Sequence, residues 1–538
     1  MSLNLFFSCA FMVLSFGSYS VRAEQTASQA SVVDLSEPQF LPAASAPELE
    51  RRLSNIGSNR VPRAELDGLK AFYADRRSEP VWVTESGYTA AAELIRAEIG
   101  RANEWGLEAS AFRIVQLNGR EKLEPAERVE AEVELSLAIL QYARFARGGR
   151  TEPLALSRNL DRTPLLLDPG KVIADAVASE SPDAYLRSLH PRHPQFERLR
   201  RQFVDSKVEP STDAKDRVTK QRPNSRDALS REKLLVNMEQ WRWMPDDLGR
   251  FYVWVNIPEY KVRVIKDGRE IHSERVIVGG KATPTPILSD EMEHIIFNPR
   301  WNVPDSIKVN ELLPSLAIGD SSVLSRQNLR VALGGRDIDP RSVEWSRTDI
   351  KKYYFYQPPG SSNALGIVKF LFPNRHDVYL HDTPSKSLFN SQVRAFSHGC
   401  IRVRHPMKLA ELLLAEDQGW DADRVAKTVH RGPQDNQINV SKIPVHLTYF
   451  TAAVDDDGRV HTFSDVYDHE HRIAYGIAGK HHLIRREPEA APVVAVRQPA
   501  PSRFDLTQRG REKRENAPSG RAIGNQDWMK RVFQQTHH

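Results

Sequence analysis

The chain has 538 residues, a length that fits two or three domains. With 27% charged and 40% hydrophobic residues it has the composition of a soluble globular protein. A net charge of +5, from 75 basic and 70 acidic side chains, suits work beside an anionic polymer but is too weak and too evenly mixed for a nucleic-acid binder, and no nucleic-acid motif is present.

Residues 1–23 read as a secretory signal. An apolar run from Leu3 to Phe16 leads to Val21-Arg22-Ala23, a small-x-small cleavage pattern, although no Lys or Arg precedes the run. An uncleaved inner-membrane anchor is the weaker alternative, because the run is shorter than the ~20 residues of a span. Bulky Phe7 argues against a lipid on Cys9. Residues 24–45, rich in Ala, Ser, Gln and Pro, are expected to be a flexible lead-in.

From 46 to 205 the pattern is helical. "TAAAELIRAEIGRANEWG" has Thr89 as N-cap and Gly106 as stop, and "ERVEAEVELSLAILQYARFARGG" carries Leu135, Ile139, Leu140, Tyr142 and Phe145 at the spacing of an amphipathic core helix. Residues 206–231 are polar and proline-interrupted, a linker composition. From 232 a short helix with Trp241 and Trp243 gives way to alternating strands with a hairpin signal at Asp267-Gly268. A stretch at about 304–362, with helix starts and many Pro and Gly, suits an insertion over a β core. Strands resume at "GIVKFLF" and "VYLHD", and "CIRV" leads into the helix "PMKLAELLLAED". The tail, 485–538, is proline-rich and basic and is expected to be disordered.

If Cys9 leaves with the signal, Cys400 is the one cysteine of the mature chain and has no disulfide partner. A free cysteine is usually a small buried apolar residue. Ser397, His398 and Gly399 are unusual neighbours for a thiol meant only for packing. A thiol needs a base or a positive neighbour to become a strong nucleophile. His381, at the end of an apolar run, can meet Cys400 if the two runs are adjacent strands, and an imidazole can take the thiol proton and return it to a leaving amine. A metal site is disfavoured because His376, His381, His398 and His405 show no zinc-ligand spacing.

The string "HDTPSKSLFNSQVRAFSHGCIRV" resembles the L,D-transpeptidase catalytic domain, the YkuD-like fold: a histidine, 15 residues, then Ser397-His398-Gly399-Cys400-Ile401-Arg402. "NMEQWRWMP", "NPRWNVPDSI", "NALGIVKFLFPN" and "SDVYDHE" are similar to the larger Gram-negative subfamily of these enzymes, over roughly residues 45–480. The resemblance implies a multidomain chain: an α-helical scaffold at 46–205, then a mainly β, sandwich-like catalytic domain at 232–480 with an α-containing capping insertion. The peptidoglycan-binding module usual in that subfamily has no room in the short polar segment 193–231.

The same resemblance implies that Cys400 attacks a stem-tetrapeptide carbonyl and releases the terminal D-Ala, with His381 as general base. The backbone N–H groups of Gly399 and Cys400 would form the oxyanion hole. Ser397 and His398 would shape the pocket, and Arg402 would hold an anionic substrate group. His405 is expected to pack against or cap the following helix, and Asp382 to bond locally. Peptidoglycan stem peptides are the expected partners, in the periplasm, with acylation by carbapenems and no cofactor. The acyl acceptor is left open: a neighbouring stem amine (a 3–3 cross-link), water (L,D-carboxypeptidase) or an outer-membrane protein. A non-catalytic wall-binding scaffold is the rival outside the enzymes.

Overall fold

The computed structural model describes residues 46–57, 60–117, 122–206, 230–432 and 434–484. The expected signal, lead-in and tail lie outside the described residues, as does all of the expected linker but its ends. Among the described residues no helix is long and apolar enough to cross a membrane.

The helical region is built around Pro125–Gly148, which opens with a capping box between Glu124 and Glu127. Expected to be amphipathic, this helix is instead buried around almost its whole circumference, with Glu132, Glu134 and Ser136 as deep as Leu135 and Ile139. The cause is that helices Ala46–Ser54, Arg63–Asp75, Ala90–Gly100, Pro169–Ala178 and Pro182–Ser188 all pack on it. Its buried acids are satisfied. Glu132 accepts from the Tyr73 hydroxyl at 2.6 Å and from the N–H groups of Val81, Trp82 and Val83. Thr89 caps helix Ala90–Gly100 through the Ala92 N–H, while left-handed Gly106 closes the 3-10 turn that follows it.

The β-rich half begins with helix Arg231–Trp241, capped by Ser230. Strands β1 (Phe251–Asn256), β2 (Lys261–Lys266), β3 (Arg269–Gly279) and β4 (Leu288–Phe297) follow. Asp267 and Gly268 both have positive φ between the paired Lys266 and Arg269, the two-residue turn expected there. The chain then leaves the sheet for the insertion, which holds β5 (Trp301–Asn302), β6 (Arg330–Leu333), β7 (Arg336–Asp337) and β8 (Tyr354–Gln357). It returns as β9 (Val368–Leu371), β10 (Leu380–His381), β11 (Ala395–Ser397), β12 (Ile401–Val403) and β13 (Asn436–Thr448), and a hairpin of β14 (Ala452–Val454) and β15 (Val460–Thr462) comes after.

The core strands run in the order β11-β3-β12-β10-β9-β4-β13-β1-β2, and β2 pairs β3 again. The expected sandwich is therefore one sheet folded back on itself. Long β3 makes the join: Arg269–Arg275 pair with β2, and Val276 and Ile277 pair with β12. Val253, Val276, Phe370, Leu380, Ile401 and Val445 meet in the interior, sealed by Leu409 and Leu413 of helix Pro406–Gln418. The insertion has its own core of Trp301, Leu312, Val331, Trp345 and Phe355 around the sheet β5-β8-β6-β7.

The boundary at 205 is less clean than composition suggests. Leu156 and Leu160 belong to the core of the β domain, and the Ile287 N–H donates to the Asn159 carbonyl at 2.7 Å. Phe196, Leu199 and Phe203 pack with Trp241, Tyr252 and Phe450.

Candidate active site

β10 and β12 are parallel neighbours, with Leu380 opposite Ile401 and His381 opposite Arg402. Leu380 and Ile401 are fully buried in the core. Because strand side chains alternate, Tyr379, His381, Cys400 and Arg402 share the other face. β9 extends the row, since Lys369 is opposite His381 and its neighbours Val368 and Phe370 are core residues. The face thus carries Lys369, His381 and Arg402 across three strands, with Tyr379 and Cys400 one step along. Cys400 and His381 stand on adjacent strands, diagonal to one another.

His381 is 4% exposed. Its Nδ1 bonds the Asp382 carbonyl, which can only accept, so Nδ1 carries the proton and Nε2 keeps its lone pair. Burial first, then the Arg402 charge and more weakly that of Lys369, holds the imidazole down to about 3. It is a neutral acceptor at any physiological pH. Cys400 is half-buried, and burial pushes its thiol up, opposed by hydrogen bonding from Tyr379 and by the Lys369 and Arg402 charges. The thiol donates to the Asp377 carbonyl at 3.8 Å, and no hydrogen bond joins it to His381. The resting pair is thiol and imidazole.

Ser397 binds the turn before Cys400. Its hydroxyl accepts from the Gly399 N–H at 3.2 Å and donates to the Cys400 carbonyl at 2.5 Å. Gly399 has φ 111°, a conformation that side chains rarely adopt. Of the two N–H groups expected to form the oxyanion hole, that of Gly399 donates to Ser397, whereas that of Cys400 has no acceptor among the described residues. Thr285, absent from the expected site, ties this turn down. It is fully buried, accepts from the Gly279 N–H at 2.8 Å and donates to the Gly399 carbonyl at 2.7 Å. Tyr467, from "SDVYDHE", donates to the Gly279 carbonyl at 2.6 Å and accepts from the Thr285 N–H at 3.3 Å.

His398 turns away from His381 and meets Glu311 of the insertion, Nε2 to Oε1, at 2.9 Å. Glu311 lies on a π-helical turn, Lys308–Leu312. Tyr379 packs against both the insertion's core and the main one, so the insertion borders the site from two sides. Arg402 remains a cation, lowered by burial to about 10. His405, expected to pack against or cap the helix, stands at its N-terminus without a side-chain cap, and its Nδ1 pairs with Glu274. His376 pairs with Asp161 of the helical region at 2.8 Å. Asp382 accepts from the Ile367 N–H and pairs with Lys386, a local role.

Residues 67–203 match the Scaffold domain family and residues 250–434 the L,D-transpeptidase catalytic domain family. A Haemophilus influenzae protein whose name gives it, provisionally, as an L,D-transpeptidase is 34% identical over 253 residues, 47% of this chain. The chain spans half (50%) of that curated relative's length. Among solved structures, an L,D-transpeptidase from Mycobacterium smegmatis is 14% identical over 37% of this chain and 58% of its own, with a TM-score of 0.18. L,D-transpeptidase 3 from Mycobacterium tuberculosis, in complex with a faropenem-derived adduct, is 13% identical over 37% and 60%, also with a TM-score of 0.18. By its family matches, the chain carries an L,D-transpeptidase catalytic domain behind an N-terminal scaffold domain.

Proposed function

We propose that this protein is a periplasmic peptidoglycan L,D-transpeptidase that works through a thioester on Cys400. Cys400 Sγ attacks the carbonyl of the diamino-acid residue in a stem tetrapeptide, and its proton passes to His381 Nε2. The oxyanion is met by the Cys400 N–H, with the Arg402 cation on the same face. The C–N bond breaks, His381 returns the proton to the leaving nitrogen, and D-Ala departs. An amine of a neighbouring stem then attacks the thioester, giving its proton to His381, and the C–S bond breaks to leave the 3–3 cross-link and the free thiol.

The observation that carries this reading is the state of His381: neutral, with Nδ1 occupied by the Asp382 carbonyl and Nε2 free, on the strand beside Cys400. The test is intact mass after incubation with a carbapenem, with Cys400→Ala alongside, followed by products from purified muropeptides. A stoichiometric adduct on the wild type alone, with cross-linked dimers, is the expected result. Tripeptides without dimers would point to water as acceptor, and an adduct without muropeptide chemistry to an amine on an outer-membrane protein. Absence of an adduct from a folded protein would overturn the enzyme reading in favour of a wall-binding scaffold.

A further inference from the structure

Lys369 is the one polar residue of β9, within the apolar string "GIVKFLF". Strand alternation puts it on the site face, opposite His381. Its ammonium leans over the Tyr379 ring, 3.9 Å from the centroid, and so toward the row that holds Cys400. Among the described residues it forms no ion pair and no hydrogen bond. Other lysines of this domain do: Lys233 with Glu470, Lys266 with Glu416, Lys308 with Asp305 and Lys386 with Asp382. A half-buried ammonium without a counter-charge has lost water and received only a ring face in return.

The missing counter-charge can come with the substrate. For acylation, the leaving nitrogen must lie beside His381, which returns a proton to it. If the leaving group is a free amino acid, its carboxylate is one carbon from that nitrogen. Lys369 flanks His381 at one strand spacing, about 4.8 Å. Arg402 stands on the opposite flank of His381, on β12.

We propose that Lys369 is a specificity-determining residue: its ammonium binds the free carboxylate of the departing amino acid, so that the enzyme cuts only the last peptide bond of a stem. A longer stem carries an amide at that place and leaves the ammonium unpaired. This rests on the transpeptidase reading above. Burial lowers the Lys369 pKa, with negative charge on Cys400 as the largest opposing influence, and a bound carboxylate acts in that same opposing sense.

The experiment compares two tetrapeptide donors that differ only in a C-terminal carboxylate or carboxamide. Release of D-alanine or D-alaninamide is followed for the wild type, Lys369→Met, Lys369→Gln and Lys369→Arg, each checked by thermal melting. Alkylation of Cys400 by iodoacetamide, a neutral probe, is timed in parallel. The wild type is expected to prefer the carboxylate donor by roughly 10–100-fold in kcat/KM, as a charge-assisted contact supplies. Lys369→Met and Lys369→Gln should process both donors at one common rate, with alkylation slowed because the thiol loses a neighbouring positive charge, and Lys369→Arg should keep the preference. A preference that survives in Lys369→Met overturns the proposal. So does a loss of turnover that is the same for both donors and leaves their ratio unchanged, which would mean that Lys369 serves the thiol alone. If the wild type releases nothing from either donor while Cys400 still alkylates, the transpeptidase reading fails and the proposal falls with it.

Discussion

Thr285→Val replaces a hydroxyl by a methyl of nearly the same size and removes both bonds that hold the nucleophile turn. The Gly279 N–H loses its acceptor and the Gly399 carbonyl loses its donor, and both lie buried where water does not substitute. Each stranded backbone group costs about 1–3 kcal/mol, so the variant should lose about 2–6 kcal/mol. For a domain of this size that is a fall in Tm of about 4–24 °C. The turn also places Cys400, so carbapenem acylation of the folded variant should slow by at least about tenfold, while Thr285→Ser, which keeps the hydroxyl, stays near wild type. Differential scanning calorimetry and stopped-flow acylation measure the two effects. A Thr285→Val protein with unchanged Tm and unchanged acylation would refute the view that this hydroxyl secures the turn.

In the scaffold, Glu132→Gln turns an amide NH₂ toward N–H donors that now meet an oxygen, and should cost about 2–4 kcal/mol in urea unfolding without touching the site; a variant as stable as wild type would show those bonds to be dispensable. Stability should also fall on mild acidification. Burial holds His193 and His446 near 4, and His381 and His469 near 3, against about 6.5 unfolded, so the unfolded chain gains protons that the folded chain refuses. Their contribution is complete above pH 6.5 and declines below it, by up to about 1.4 kcal/mol per unit for each histidine. Glu132, raised by burial to about 7, works in the opposite sense with a single proton. The urea midpoint should therefore drop between pH 6.5 and 5, and a flat profile would mean that these histidines are reached by water.

The diagonal of His381 and Cys400 was legible because each ends or precedes an apolar run, and two such runs side by side leave little choice of face. Lys369 and Tyr379 were within reach of the same logic. Alternation in "GIVKFLF" and "VYLHD" assigns them to the face of His381, and a lysine in an apolar strand is itself a signal. Thr285 and Tyr467 had no such mark. They act through backbone groups from 114 and 188 positions away in the chain, a relation that spacing does not encode. The insertion's sheet escaped notice because its strands have two to four residues, too few to show alternation. The helix Pro125–Gly148 misled for another reason: its acids look solvent-facing, yet they serve buried donors on helices and loops distant in sequence.

The prop that Tyr467 gives the nucleophile turn also has a timetable. Cys400 and His381 are made well before residue 467, and a growing chain that holds both still lacks the hydroxyl that secures Gly279 and Thr285. The thiol therefore comes into register only after nearly all of the β domain has emerged and the segment carrying Tyr467 has docked back on strands made long before. Until then the chain bears Cys400 and His381 without the secured turn between them and the sheet, so assembly of the proposed site is coupled to completion of the fold.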